Sequence, residues 1–133
     1  MNLDVIAEIV ATRFNAGRSA LRRYSATVIL HSPERLPTRR RTRYGENADS
    51  ARISAIRAAL KYWGCVTIAP EEVRVPSRIL PNGYGIQYLA DADTCMALAT
   101  RMPAESQAYK DMVAVAEWYE QQYIAVMYEY LRN

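Results

Sequence analysis

Apolar and polar positions follow two different periods along this chain. Between residues 2 and 16, Leu3, Ile6, Val10 and Phe14 recur at spacings of three and four, joined by Ile9, which predicts a helix over 2–16. Asn2 would cap it, Asp4 suits its first turn and Gly17 its stop. The pattern then changes. "YSATVILH", residues 24–31, is β-branched and aromatic and predicts a strand. Pro33 and Pro37 punctuate a loop, and "TRRRTRY", residues 38–44, alternates as a returning strand. In that strand Arg39, Arg41 and Arg43 would face one way, and Thr38, Arg40, Thr42 and Tyr44 the other.

A second helix is expected over about 48–63, capped by Asn47, with Asp49 in its first turn, Lys61 in its last and Gly64 beyond its end. Ile53, Ile56, Leu60 and Trp63 form its apolar stripe. "CVTI", residues 65–68, reads as a short strand. Residues 73–89 then read as a hairpin around Pro81-Asn82-Gly83, since Asn-Gly tolerates the positive φ of a tight turn. Asp91 would cap a third helix over 92–102, ended by Pro103. The last helix is expected over about 104–131. Tyr109, Met112, Ala116, Tyr119, Tyr123, Val126 and Tyr130 recur in it at spacings of three and four. Such a seam fits either the protein's own core or a homodimer interface, and tyrosine suits the interface because its hydroxyl needs water or a partner. The possible interface residues are Tyr109, Tyr119, Tyr123 and Tyr130.

Two hairpins, at about 24–44 and 73–89, with an N-terminal, a middle and a long C-terminal helix give a single α+β domain over 1–133. Its sheet is expected to be mainly antiparallel, with the helices on one side.

Composition excludes some classes. Half of the residues are hydrophobic and 23% charged, which fits a packed globular chain and not a disordered one. No run of 18 apolar residues occurs, so no membrane partner is expected. "MNLDVIAEIVATRF" lacks the basic start of a secretory signal, and a cytoplasmic location follows as an expectation. Cys65 and Cys95 would then be reduced, buried small hydrophobes.

Charge adds the most. Residues 1–66 hold 12 basic residues against five acids, and residues 67–133 hold five against nine. Fifteen of the 17 basic residues are arginine, whose planar fork suits bidentate contacts and stacking. The densest stretch is "RLPTRRRTRYGENADS", residues 35–50. Alternate residues of a strand lie about 6–7 Å apart, close to the phosphate spacing of a nucleic-acid strand. The candidate surface for nucleic acid or another partner is Arg22, Arg23, Arg35, Arg39, Arg40, Arg41, Arg43, Tyr44, Arg52 and Arg57, with Tyr24 and Tyr44 available to stack. An arginine-studded edge strand also resists edge-to-edge aggregation. No RNP-type aromatic strand or GXXG loop accompanies it.

Catalytic chemistry finds little support. The one histidine, His31, has no evident nucleophile, and reads as a polar strand end. No Cys or His pair has ligand spacing, so no metal or other cofactor is expected. "DADTC", residues 91–95, lacks the Gly and Glu of a calcium loop. Glu71, Glu72, Asp91 and Asp93 could serve a metal-dependent nuclease only if the fold made them converge. The expectation is a non-enzymatic protein binding nucleic acid or a ribonucleoprotein through the arginine hairpin. The alternative is a protein-interaction module, a small regulator or inhibitor of the kind that phages and mobile elements encode. It would meet an acidic protein surface with its arginines and use the tyrosine-rich last helix as an interface.

Overall fold

The computed structural model describes residues 4–77, 81 and 83–132. Three strands, β1 (Ile6–Phe14), β2 (Tyr24–His31) and β3 (Arg41–Gly45), form an antiparallel meander in the order β1-β2-β3. Three helices follow: α1 (Ala48–Tyr62), α2 (Ile86–Ala99) and α3 (Gln107–Arg132). The architecture is α+β.

The N-terminal segment is a strand and not the expected helix. Ile9 pairs with Val28 but Ala11 with Thr27, so Val10 is an extra, bulged residue. A bulge resets the two-residue alternation. Ile6 and Phe14 therefore lie on opposite faces, with Val10 in the bulge between them, so the helical spacing of these three residues does not mark one face. The alternation is intact on each side: Ala7 and Ile9 lie opposite Leu30 and Val28 on one face, while Ile6 and Glu8 lie opposite His31 and Ile29 on the other.

α1 packs on the first of these faces. Asn47 caps it by accepting a hydrogen bond from the Ser50 amide, and Ser50 Oγ accepts one from the Asn47 amide in return. Ala51, Ala55 and Ala59 are fully buried at four-residue spacing, which lets the helix lie close on the sheet. Between them Ile56 and Leu60 meet Val28, Leu30, Ala7 and Val5 in the main core. β3 leads straight into this helix at Gly45, where an added Cβ would lie 2.5 Å from the Ala51 amide nitrogen. Only glycine permits that approach.

The helices lie on both sides of the sheet. The opposite face is covered near its end by α3: Tyr128 and Leu131 close over Ile6, and the Tyr128 hydroxyl donates to the Asp4 carboxylate. α2 packs along α3, with Ala92, Ala99 and Ala116 buried where the two helices meet.

Two further expectations are corrected. Residues 65–68 form turns, and Arg74 makes only a single parallel bridge to Ile6 on the outer side of β1. The expected hairpin at 73–89 is not formed over its second half, because Ile86–Leu89 is the first turn of α2. Residues 78–80 and 82, part of that expected hairpin, lie outside the described residues. The turn signal is genuine, but the turn leads into a helix. Gly83 and Gly85 take φ of 80° and 74°, and Gly85 is the left-handed residue from which α2 starts. Asp91 is therefore inside the helix, where it accepts a hydrogen bond from Gln87, one turn earlier. α3 starts at Gln107, with Ser106 Oγ accepting from the Tyr109 amide.

Candidate nucleic-acid interface

β3 is an outer strand of the sheet, and the arginines gather around it. Arg41 lies opposite Val28 and Arg43 opposite Ala26, so both side chains leave the sheet on the side of α1. There the Arg41 guanidinium stands 4.7 Å from the centre of the Tyr62 ring, at the end of α1. Arg43 Nη1 donates to the Thr42 carbonyl at 2.8 Å. Thr42 and Tyr44 emerge on the other side, where the Thr42 and Thr27 hydroxyls share a hydrogen bond of 2.8 Å and the Arg22 guanidinium lies 5.7 Å from the centre of the Tyr44 ring. Tyr24 instead stacks on Phe14, with ring centres 5.2 Å apart.

The expected regular face of Arg39, Arg41 and Arg43 is not formed as an unbroken strand. The strand begins at Arg41. Before it, Thr38 is buried and closes a pair of hydrogen bonds with Leu30: its amide donates to the Leu30 carbonyl, and its Oγ1 accepts from the Leu30 amide. Between Leu30 and Val28 lies one residue, but between Thr38 and Arg41 lie two, Arg39 and Arg40. Both are exposed, and neither has an ion-pair or hydrogen-bond partner among the described residues. The extra residue throws them outward and breaks the alternation.

Other arginines divide by role. Arg22 and Arg23 are exposed on and just after the short 3-10 turn at Ala20–Arg22 that precedes β2. Arg52 pairs with Asp49 at 3.0 Å and Arg57 with Glu71 at 3.7 Å, so each is neutralised locally. Arg35 is drawn into the structure. Its Nη1 donates to the Trp63 carbonyl at 2.8 Å, lies 3.6 Å from Cys65 Sγ, and its guanidinium stands 5.7 Å from the centre of the Trp63 ring. It ties the loop after β2 to the end of α1. Cys65 and Cys95 are both free and half-buried.

Compared with protein-family models, with curated proteins and with solved structures, the chain finds no match.

The tyrosines of α3 serve several local contacts. Tyr119 meets Trp118 at 5.2 Å between ring centres, and Tyr130 meets Tyr84 at 4.5 Å. Tyr109 is half-buried, and Tyr123 lies against Gly85. The buried positions of the helix are Ala116, Ile124, Met127, Tyr128 and Leu131, turned toward α2 and the sheet. Glu71, Glu72, Asp91 and Asp93 do not converge: Glu71 meets Arg57 and Asp91 meets Gln87. Among the described residues no three His, Cys, Asp or Glu side chains could hold one metal ion, and no helix is long and apolar enough to cross a membrane.

One pairing escaped the sequence. His31 Nε2 donates to Glu8 Oε1 at 2.8 Å, and His31 is only 3% exposed. The two residues are diagonal neighbours across β1 and β2. A strand over 6–14 would have brought them together, but a helix over 2–16 hides the pair.

Proposed function

We propose that the protein binds the phosphate backbone of a nucleic acid along the outer side of β3. The carrying observation is the lack of compensation there. Arg39, Arg40, Arg41 and Arg43 have no carboxylate partner among the described residues, whereas Arg52 and Arg57, a helix away, do. Uncompensated arginines attract phosphate and release its counterions. Tyr44 and Tyr62, both about half exposed, flank the patch and carry Arg22 and Arg41 against their rings. Stacking of this kind holds the charge in place and reduces the entropy lost on binding. With contacts mainly to phosphates, affinity should depend steeply on salt and weakly on sequence.

The test is fluorescence anisotropy with single- and double-stranded DNA and RNA over a salt series. If about five phosphates are contacted, affinity falls several-hundred-fold between about 50 and 200 mM salt. The Arg39/Arg40/Arg43→Ala variant should lose most of this slope while keeping its circular dichroism. Equal binding by that variant would overturn the proposal.

The fixed arginines also favour a second reading, an acidic protein surface as the partner of a small regulator or inhibitor, because interface hot spots favour ordered Arg and Tyr. An absence of nucleic-acid binding at about 50 mM salt, with the patch intact, would select it.

A further inference from the structure

The sheet face opposite α1 is only partly covered by α3. Where the cover ends, a cavity of about 330 Å³ opens between β1, β2, the loop after β2 and the two last helices. That is the lower end of the size range of small-molecule sites. Its walls are mostly apolar, with Ile29, Leu36 and Leu89 on three sides. Its polar groups are Glu8, His31, Tyr123 and Thr38, and Thr38 Oγ1 already accepts from the Leu30 amide.

Glu8 is the decisive group. Its carboxylate is 22% exposed, and one oxygen accepts from His31 Nε2 at 2.8 Å. Among the described residues it has no other hydrogen-bond or ion-pair partner, and no arginine or lysine reaches it. Among the described residues, then, this half-sheltered carboxylate has no permanent cation beside it. A charge in such a place is costly unless paired. His31 Nδ1 is buried and has no hydrogen-bond partner among the described residues, so the imidazole is held from one side only, through Nε2 to Glu8. The charge is felt across the cavity: the Tyr123 hydroxyl is held above its ordinary range, first by burial and then by Glu8. The Tyr123 ring adds an aromatic wall of the kind that cations favour.

We infer that this cavity binds a small organic cation, an alkylammonium group whose nitrogen meets the free Glu8 oxygen while its hydrocarbon part lies against Ile29, Leu36 and Leu89. The cation has two sources with one chemistry, a free amine or a lysine side chain presented by a peptide. The cavity lining runs through Leu36, Pro37 and Thr38, between Arg35 and Arg39, but includes no arginine, so the cation proposal does not rest on nucleic-acid binding.

Isothermal titration of the full chain at low salt tests it, with hexylammonium, hexanol and hexanoate as isosteric probes. Hexylammonium should bind saturably, at least tenfold more tightly than hexanol, with hexanoate weakest. A short peptide with blocked ends and a single lysine, run beside hexylammonium, tells which source fits better. Glu8→Gln keeps an acceptor for His31 Nε2–H and should weaken hexylammonium at least tenfold without changing hexanol. Leu36→Trp, at an exposed rim position, should block all three probes and serves as the second variant if Glu8→Gln does not fold. Equal binding of hexylammonium and hexanol, undiminished ammonium binding by Glu8→Gln, or no ammonium binding at all would each overturn the inference.

Discussion

The sheet with α1 and the pair of α2 and α3 are built to different standards. The first unit has a continuous core of Val5, Ala7, Val28, Leu30, Ile56 and Leu60, closed by a row of alanines. The second is two helices side by side, attached to the sheet through a small cluster of Ile6, Tyr128 and Leu131. The second unit leaves Ile86, Met96, Leu98, Val115 and Trp118 exposed, and it carries most of the acids of residues 67–133. The first carries the cluster of uncompensated arginines at β3. Stability and surface chemistry are thus separated within one chain. A dense core lets one edge of the sheet carry like charges, because the exposed side chains of Arg39, Arg40 and Arg43 take no part in that core. The helical pair draws its order from one seam and one anchoring cluster.

Emptying each core in turn probes this contrast most directly. Ile56→Ala, in the fully buried centre under α1, should cost about 3–4 kcal/mol and lower the whole unfolding transition. Leu131→Ala should cost about 2–3 kcal/mol, with a different signature. Amide exchange should speed up in α2 and α3 while β2 and α1 stay protected. Uniform exchange across both units in Leu131→Ala would show that they unfold as one.

A smaller effect is expected at the junction of the basic strand with its helix. Gly45→Ala places a methyl group against the Ala51 and Ser50 backbone, which cannot yield as a flexible side chain would. We expect a loss of about 2 kcal/mol in chemical denaturation, in the range of overpacked sites. No loss would mean that α1 can slide along β3.

The smallest effect concerns the anchor of α3. Tyr128 is buried and bonded to Asp4, and burial first, then that bond, raises its hydroxyl from 10.0 to about 12. The fold therefore favours the protonated phenol. This contribution is complete below pH 10 and is lost as pH rises through about 12, so stability should fall across that window. Tyr128→Phe should flatten the fall in thermal melts over that window, and an unchanged slope would assign it to other groups.

Features with a local cause were legible from the residues alone. The strand at Tyr24–His31 and the start of α1 follow from β-branched content and from Asn47 with its capping partner, interactions completed within a few residues. The α+β class and the long final helix were legible for the same reason, and so was the concentration of arginine around residues 35–57. Features that depend on pairing were settled by the packing of the whole chain. Residues 6–14 carry apolar spacings compatible with a helix, and only the ladder with β2, including the bulge at Val10, makes them a strand. Gly83 and Gly85 permit a turn into either a strand or a helix, and the packing of Gly85 under Met127 and Tyr123 selects the helix. The arginines were visible as a composition. Which of them stay unpaired was settled only when Arg35 met Trp63, Arg52 met Asp49 and Arg57 met Glu71. The Glu8–His31 pair spans 23 residues, and no local rule reaches that far. Periodicity reports which side of an element is apolar, while register and partner choice are properties of the packed chain.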